Sequence, residues 1–400
     1  MGTCDNFGKS VSGEEHSHTM NCVYGKIIYT GLSVIEESYL IFDGQKVAGI
    51  AKRGKGMLLG KFDVITPAFI DPHSHIGMQR AGEPAGEAEA NEHADTILAL
   101  SDALDSVQMD DTAFRDAVEM GVLYSCIVPG SGNIIGGKSA VIRNYAENTT
   151  DAFFARAGVK AAFGYNPMST REWKGTRPST RMGALALLRG KLDEVRQKVE
   201  RYTAAPDKKK KEIVFAAEET LLREILAGTV CLRVHVHKID DIAALLRIVD
   251  EFRLTIVVEH AMDVHKPEIF RELARRGISV TYGPVDAFAY KVELRHATWR
   301  NICHLIESGV TFGLMSDHPV TQSCNLFLQA RWFIRAGYSK RDVVELFCRK
   351  NAAILGIDDR LGTLEKGKWA SFTCWTGDPF DLAQFPLAVY GEGRLLHSEV

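Results

Sequence analysis

The chain has 400 residues, 46% hydrophobic and 25% charged, the make-up of a globular protein with a large core. A formal net charge of −3 gives no electrostatic footprint for nucleic acid or an anionic membrane, and neither is an expected partner. No run reaches the roughly 18 apolar residues of a membrane span, no signal peptide opens the chain, and the eight cysteines lack C-x-x-C spacing, so free thiols and a cytoplasmic location are expected.

Residues 1–20 are small and polar and read as a tail, with His16 and His18 as surface histidines. Alternating apolar residues at 22–30, 38–42 and 46–51, separated by glycine-bearing turns, predict short antiparallel strands. Similar runs recur at 362–375, 387–390 and 394–396. The two ends, 1–63 and 359–400, are expected to join as a small β-sandwich beside a central domain over 64–358.

That central domain alternates apolar strands with helical patterns. Strands are predicted near 64–71, 122–128, 139–143, 159–164, 230–236, 255–260, 278–282 and 310–316, and helices at 111–120, 181–202, 212–226, 240–252, 267–275 and 299–308. The pattern predicts an α/β fold, a (β/α)8 TIM-like barrel of parallel strands, with the active site at the strands' C-terminal ends.

Polar residues suited to a metal stand at those ends. The first strand runs into Asp71-Pro-His-Ser-His75, and residues i and i+2 of a strand share a face, so His73 and His75 offer two imidazoles to one point. The fifth strand ends in His235-Val-His237, the sixth in Glu259-His260 and the eighth in Ser316-Asp-His318. A lone His-x-His arises by chance in about 0.4 of chains of this composition; four such strand ends together are far more specific.

This constellation, with Pro67-Ala-Phe-Ile-Asp-Pro-His-Ser-His75 and the segment 351–370, resembles the amidohydrolase superfamily over nearly the whole chain, in a branch that looks close to imidazolonepropionase. The resemblance implies metal ligands at His73, His75, His235, His260 and Asp317, and one or two divalent transition ions, zinc first, with iron or manganese also suited to His/Asp donors. It implies His235, not His237, as the ligand of its pair, with His237 facing away from the metal or reaching over the rim as a substrate contact. Lys160 lies on the strand where two-metal relatives carry a carboxylated lysine; an ordinary salt-bridged lysine is the other reading. The chain has Ser371 where family members usually carry Asp.

The implied reaction is hydrolysis of a non-peptide C–N bond (amide, cyclic amide or amidine) by a metal-activated water, with Asp317 as proton shuttle and His260 as ligand or carbonyl polariser. Dipeptide, N-acyl amino acid and lactone hydrolysis suit the same site. His318 is a further candidate at the substrate, although strand alternation points it away from Asp317. The loop 166–181 brings Arg171, Lys174, Arg177 and Arg181 beside Trp173, and such arginines suit a small-molecule substrate with a carboxylate. The acidic stretch 78–108, with Glu83, Glu87, Glu89, Glu92 and Asp95, reads as a lid or an interface, and a homo-oligomer is compatible with it.

Two competing readings remain. Gly132-Asn-Ile-Ile-Gly-Gly-Lys-Ser139 matches the phosphate-binding G-x-x-x-x-G-K-S, which works only if a helix starts at Lys138; otherwise Lys138 belongs to a glycine-rich loop near substrate. A barrel that serves only in assembly would be missing ligands, and here all five are in place.

Overall fold

The computed structural model describes residues 20–80, 88–168, 177–289 and 291–399. Two sheets organise them. The first contains β1 (Met20–Tyr29), β2 (Val34–Asp43), β3 (Lys46–Ala51) and β4 (Met57–Pro67) from the N-terminal part, with three strands from the C-terminal end. The second contains β5 (Phe69–Ser74), β6 (Val122–Ile127), β7 (Ile135–Arg143), β8 (Phe153–Ala162), β9 (Leu232–Val236), β10 (Ile256–His260), β11 (Val280–Tyr282) and β12 (Phe312–Leu314), in sequential order. The chain then returns to the first sheet as β13 (Phe372–Trp375), β14 (Pro386–Gly391) and β15 (Arg394–Ser398).

The two ends therefore share one seven-stranded sheet, in the order β15-β14-β13-β4-β1-β2-β3. It curls so that Phe42 of β2 meets Phe372 and Tyr390, with ring centroids 5.5 and 6.0 Å apart. Ser371, where the family usually has Asp, is buried: its hydroxyl takes the Glu392 N–H at 3.0 Å and lies 2.8 Å from the Tyr124 hydroxyl, tying this sheet to the barrel.

The barrel differs from the sequence reading in two places. The expected first strand, 64–71, is two strands: β4 ends at Pro67 in the terminal sheet, and the barrel strand begins at Phe69. The third strand, β7, is longer than expected and antiparallel to both neighbours, so the sheet is not wholly parallel. The segment 128–134 from β6 is too short for a crossover helix, which leaves a hairpin as the accessible connection.

The seam between β12 and β5 is crossed by two backbone bonds just beyond β12, Asp317 N to His73 O and His75 N to His318 O, both 3.1 Å. Buried Asn351 bridges the same seam: its Nδ2 donates to Ile70 O at 2.7 Å and Leu314 O at 2.9 Å, and its Oδ1 accepts from Leu314 N at 3.1 Å. A Cβ at Gly313 would stand 1.8 Å from that oxygen, so the close approach requires glycine there. Helices cover the outside of the barrel. The amphipathic helix Ile239–Phe252, for example, buries Ile242, Leu245, Leu246 and Phe252.

The residues read as a phosphate-binding loop run from a turn at 132–134 into the start of β7, and no helix begins at Lys138. Nucleotide binding there loses its structural basis. The described part of the acidic stretch, from 88 to 108, lies along the barrel, with Ala90, Ala99, Ala103 and Val107 buried and Ile97 bridged to Ile135. No helix among the described residues is long and apolar enough to cross a membrane, and the seven described cysteines are unpaired. His16, His18, Glu83, Glu87, Arg171, Trp173 and Lys174 lie outside the described residues.

Candidate metal centre

Buried polar residues gather at the C-terminal ends of the barrel strands. His73, His75 and Asp317 form one group with ligand-competent atoms close together, and His235, His237 and His260 form another. The groups adjoin, since the His73 and His260 ring centroids are 4.9 Å apart. Asp317 Oδ1 lies 3.4 Å from His73 Nε2 and 3.3 Å from His75 Nε2.

Three rings are held by the nitrogen that faces outward. His73 Nδ1 meets the Glu259 carboxylate at 2.9 Å, His75 Nδ1 meets Val128 O at 2.8 Å, and His260 Nδ1 meets Gly283 O at 3.0 Å. An N–H donated at Nδ1 fixes the tautomer and leaves the Nε2 lone pair for an ion. Buried His260 Nε2, His235 Nδ1 and His237 Nδ1 have no hydrogen-bond partner, which is costly unless an ion satisfies them. The donor set, neutral imidazoles with one carboxylate, therefore fits a divalent transition ion.

Burial disfavours the charged form of four of these rings. It pushes His260 and His235 well below the ordinary imidazole range, each reinforced by a neighbouring histidine, lowers His75, and takes His237 down to about 4. For Asp317, burial opposes ionisation, but His260, His73 and His75 outweigh it and hold the carboxyl well below its usual value. The carboxylate is thus ready to bind a cation or take a proton.

Local backbone turns aim two of these residues. The register pairs Glu259 with His235, so strand alternation puts Glu259, not His260, on the interior side. His260 reaches the cluster because its φ of 74° reverses the chain direction, and Asp317 has a φ of 53°. Non-glycine residues in this left-handed region cost about 1–3 kcal/mol each, and such strain gathers at functional sites. Asp71 anchors the seam below them, accepting from the Ser316 hydroxyl, from Ser316 N at 3.0 Å and from the Ser323 hydroxyl at 3.2 Å.

The expectation that His237 faces away does not hold. Residues 235 and 237 share a strand face, and the His237 ring stacks on His260 with centroids 4.7 Å apart. Lys160 is fully buried with Nζ 3.3 Å from His73 Nε2, and no carboxylate among the described residues pairs with it at salt-bridge distance, so the ordinary salt-bridged reading fails. His318 turns elsewhere: its Nδ1 accepts from Ser323 N at 3.2 Å, and it does not join either ligand group.

The basic residues expected at the substrate are engaged outside this centre. Lys138 lies on the opposite face of β7 from the position that pairs with Lys160, and its Nζ is 3.6 Å from Asp102. Arg181 forms a two-pronged bond with Asp241, at 2.6 and 3.2 Å. Arg177 donates to Glu92 O at 2.9 Å, in a groove beside the helix Arg181–Ala204. These pairings span tens of residues, so local sequence does not reveal them.

Sequence reading missed four residues. Glu259 binds His73 and takes a 2.6 Å ion-pair contact from Arg233, and both are buried. Burial disfavours the charge on Glu259, yet Arg233 and His73 hold its carboxyl below the usual range. Buried Glu293 places Oε2 3.6 Å from His235 Nε2 while Oε1 accepts from Tyr165 N at 2.6 Å. Lys291 shares with His237, Asp317, Met262, Leu294 and Ala297 the wall of a small pocket above the centre. Parity with His235 along the same strand was a usable signal for Arg233; Glu259 is placed by a register that only the structure gives, and Glu293 and Lys291 lie in a segment outside the barrel strands that offered no signal.

A barrel of eight strands carrying such a centre at its C-terminal rim defines the architecture of an α/β-barrel hydrolase. The chain belongs to the amidohydrolase family, whose model matches residues 146–392. It is similar to the amidohydrolase tasK of Hapsidospora irregularis, at 25% identity over 357 residues, 82% of this chain. That stretch is 36% of the relative, so the chain spans about a third of its length. Among solved structures, an amidohydrolase from Thermotoga maritima MSB8 superposes with a TM-score of 0.87 at 29% identity, covering 95% of this chain and 100% of the other. A prolidase complexed with N-methylphosphonate-L-proline superposes with a TM-score of 0.61 at 14% identity over 94% and 99% of the two chains, a likeness of fold.

Proposed function

We propose that the protein is a metal-dependent hydrolase that cleaves a C–N bond in a small substrate bearing a carboxylate, of the N-acyl amino acid or dipeptide type. The observation that carries the reading is the convergence of His73, His75 and Asp317 on His235, His237 and His260, all buried at one barrel rim. An ion held by these residues supplies a polarising positive charge and a water acidified towards a pKa of about 7.

The remaining chemistry falls to the chain. Asp317, kept ionised by its histidines, takes a proton as the carbonyl is attacked and returns it to the leaving nitrogen. His237, neutral and on the pocket wall, is in position to hydrogen-bond the carbonyl oxygen. Lys291 attracts the substrate carboxylate, the role first expected of Arg177 and Arg181, and Met262, Leu294 and Ala297 take the apolar part. A bound proline analogue in the prolidase of the same fold is consistent with this class.

Burial brings Lys160 down to about 8, so a substantial share of its amine is neutral near physiological pH and can add carbon dioxide, losing a proton and gaining a carboxylate. A Lys160 modified in this way would add an anionic oxygen donor to the centre and would help the histidines and Asp317 hold a second ion. The test is a panel of N-acetyl amino acids, Xaa-Pro dipeptides, cyclic amides and amidines given to zinc-loaded protein. Release of free amino acid from the carboxylated amides, absent in His73→Ala/His75→Ala, is expected. Turnover confined to amidines, with ammonia released, would overturn the substrate class.

A further inference from the structure

Beyond the barrel centre, Asp263, His265 and His296 also bring ligand-competent atoms within 4.8 Å of one another, and they share no residue with the other two groups. Asp263 and His265 lie in the turn after β10, and His296 precedes the helix Asn301–Glu307. We infer that these three residues form a separate rim site for a divalent ion of zinc type, which fastens one wall of the catalytic pocket.

Two imidazoles and a carboxylate leave a fourth position for water, a set that suits tetrahedral zinc. The carboxylate is the fixed member: Asp263 is 2% exposed, and its Oδ1 takes the His296 backbone N–H. The rings are the accessible members. The His296 side chain is 45% exposed, and the two ring centroids lie 4.2 Å apart, inclined by 33°. His265 donates Nδ1–H to Asp263 O at 2.9 Å, which leaves its Nε2 lone pair for an ion. Ligands about 2.0–2.1 Å from zinc stand about 3.3 Å from one another, a closure that rotation of the accessible rings supplies.

The frame is already tied together. Asn301 Nδ2 donates to Met262 O at 3.1 Å and to His296 O at 2.9 Å, linking the two segments that carry the ligands. Met262 and Ala297, each next to a ligand, line the catalytic pocket, so an ion here would hold that wall in place. Lys238 Nζ lies 4.0 Å from Asp263 Oδ2 and supplies the positive charge that an ion would replace.

The experiment uses full-length protein stripped of metal and titrated with zinc alone, with bound zinc per chain measured by atomic emission. His265→Ala/His296→Ala should bind one ion fewer than wild type, while His73→Ala/His75→Ala keeps the rim ion. Equal zinc uptake by wild type and His265→Ala/His296→Ala would overturn the proposal. Lys238→Ala provides a second arm that leaves every ligand in place: it should bind the rim ion several-fold more tightly, and unchanged affinity would count against the site.

Discussion

Lys160 Nζ stands 3.3 Å from His73 Nε2 inside the barrel, fully buried and beside both groups of candidate ligands. An ammonium there is disfavoured by burial, which outweighs the pull of Glu259 and Asp317 and leaves the group lowered to about 8. On the proposed reading, carboxylation would resolve the conflict by turning the ammonium into an anionic ligand. Lys160→Met is expected to hold one ion fewer per chain, and wild type equilibrated with labelled bicarbonate to show a carbamate signal by NMR. Full metal content in Lys160→Met would exclude a carboxylated Lys160 as a ligand.

Asp317→Asn preserves the size of the side chain and removes its basicity. It should fold, as judged by circular dichroism and melting temperature, and retain most of its metal. Turnover should fall by about a hundred- to ten-thousand-fold, the contribution typical of a positioned proton carrier. Retained kcat would remove Asp317 from the proton path.

Arg233 and Glu259 form a buried pair 2.6 Å apart behind His73. Glu259→Gln should weaken metal binding about 10–100-fold through the loosened imidazole. Arg233→Met leaves Glu259 buried without its ion-pair partner, held by His73 alone, and should cost about 3–5 kcal/mol in denaturant unfolding of the metal-free protein. The double substitution should recover much of that loss, a coupling that separate contributions would not produce.

Acid should destabilise the metal-free protein in a defined window. His237 and His318, ordinarily near 6.5, are held at about 4 by burial, and His75, His235 and His260 are lowered as well. Between 6.5 and 4 the unfolded chain binds more protons than the fold, so stability falls as pH drops through this range. Asp71 acts oppositely: burial raises it from 3.8 to about 6, so its protonation favours the fold as pH falls through 6. Five histidines against one carboxyl predict a net fall in melting temperature from pH 6.5 to 4, and a flat profile would contradict this balance.

Lys291→Ala should raise KM for carboxylated substrates, with a smaller change in kcat and little change for neutral amides. Arg181→Ala should leave KM unaltered and lower stability, because Arg181 is bound to Asp241. The opposite pattern would return the substrate carboxylate to the loop arginines.

The strand ends were legible because period-two alternation and barrel geometry make strong local demands: His73 and His75 share a face in any strand, and Asp317 closes the last one. Direction was not legible. The apolar run of β7 reads the same in either sense, and only its short connection to β6 makes it antiparallel. Alternation also misled where the backbone departs from it, since His260 needs a left-handed turn to reach the interior that Glu259 faces by register. Lys138 and Arg181 were assigned to substrate because their partners, Asp102 and Asp241, are distant in sequence.

The measurement that bears most directly on the central claim is metal per chain in protein as purified, carried out in the His265→Ala/His296→Ala background so that only the barrel centre is counted. One or two equivalents of transition metal, lost when His73→Ala/His75→Ala is added, are predicted. No metal in either protein after growth with supplemented zinc would contradict a metal-dependent centre.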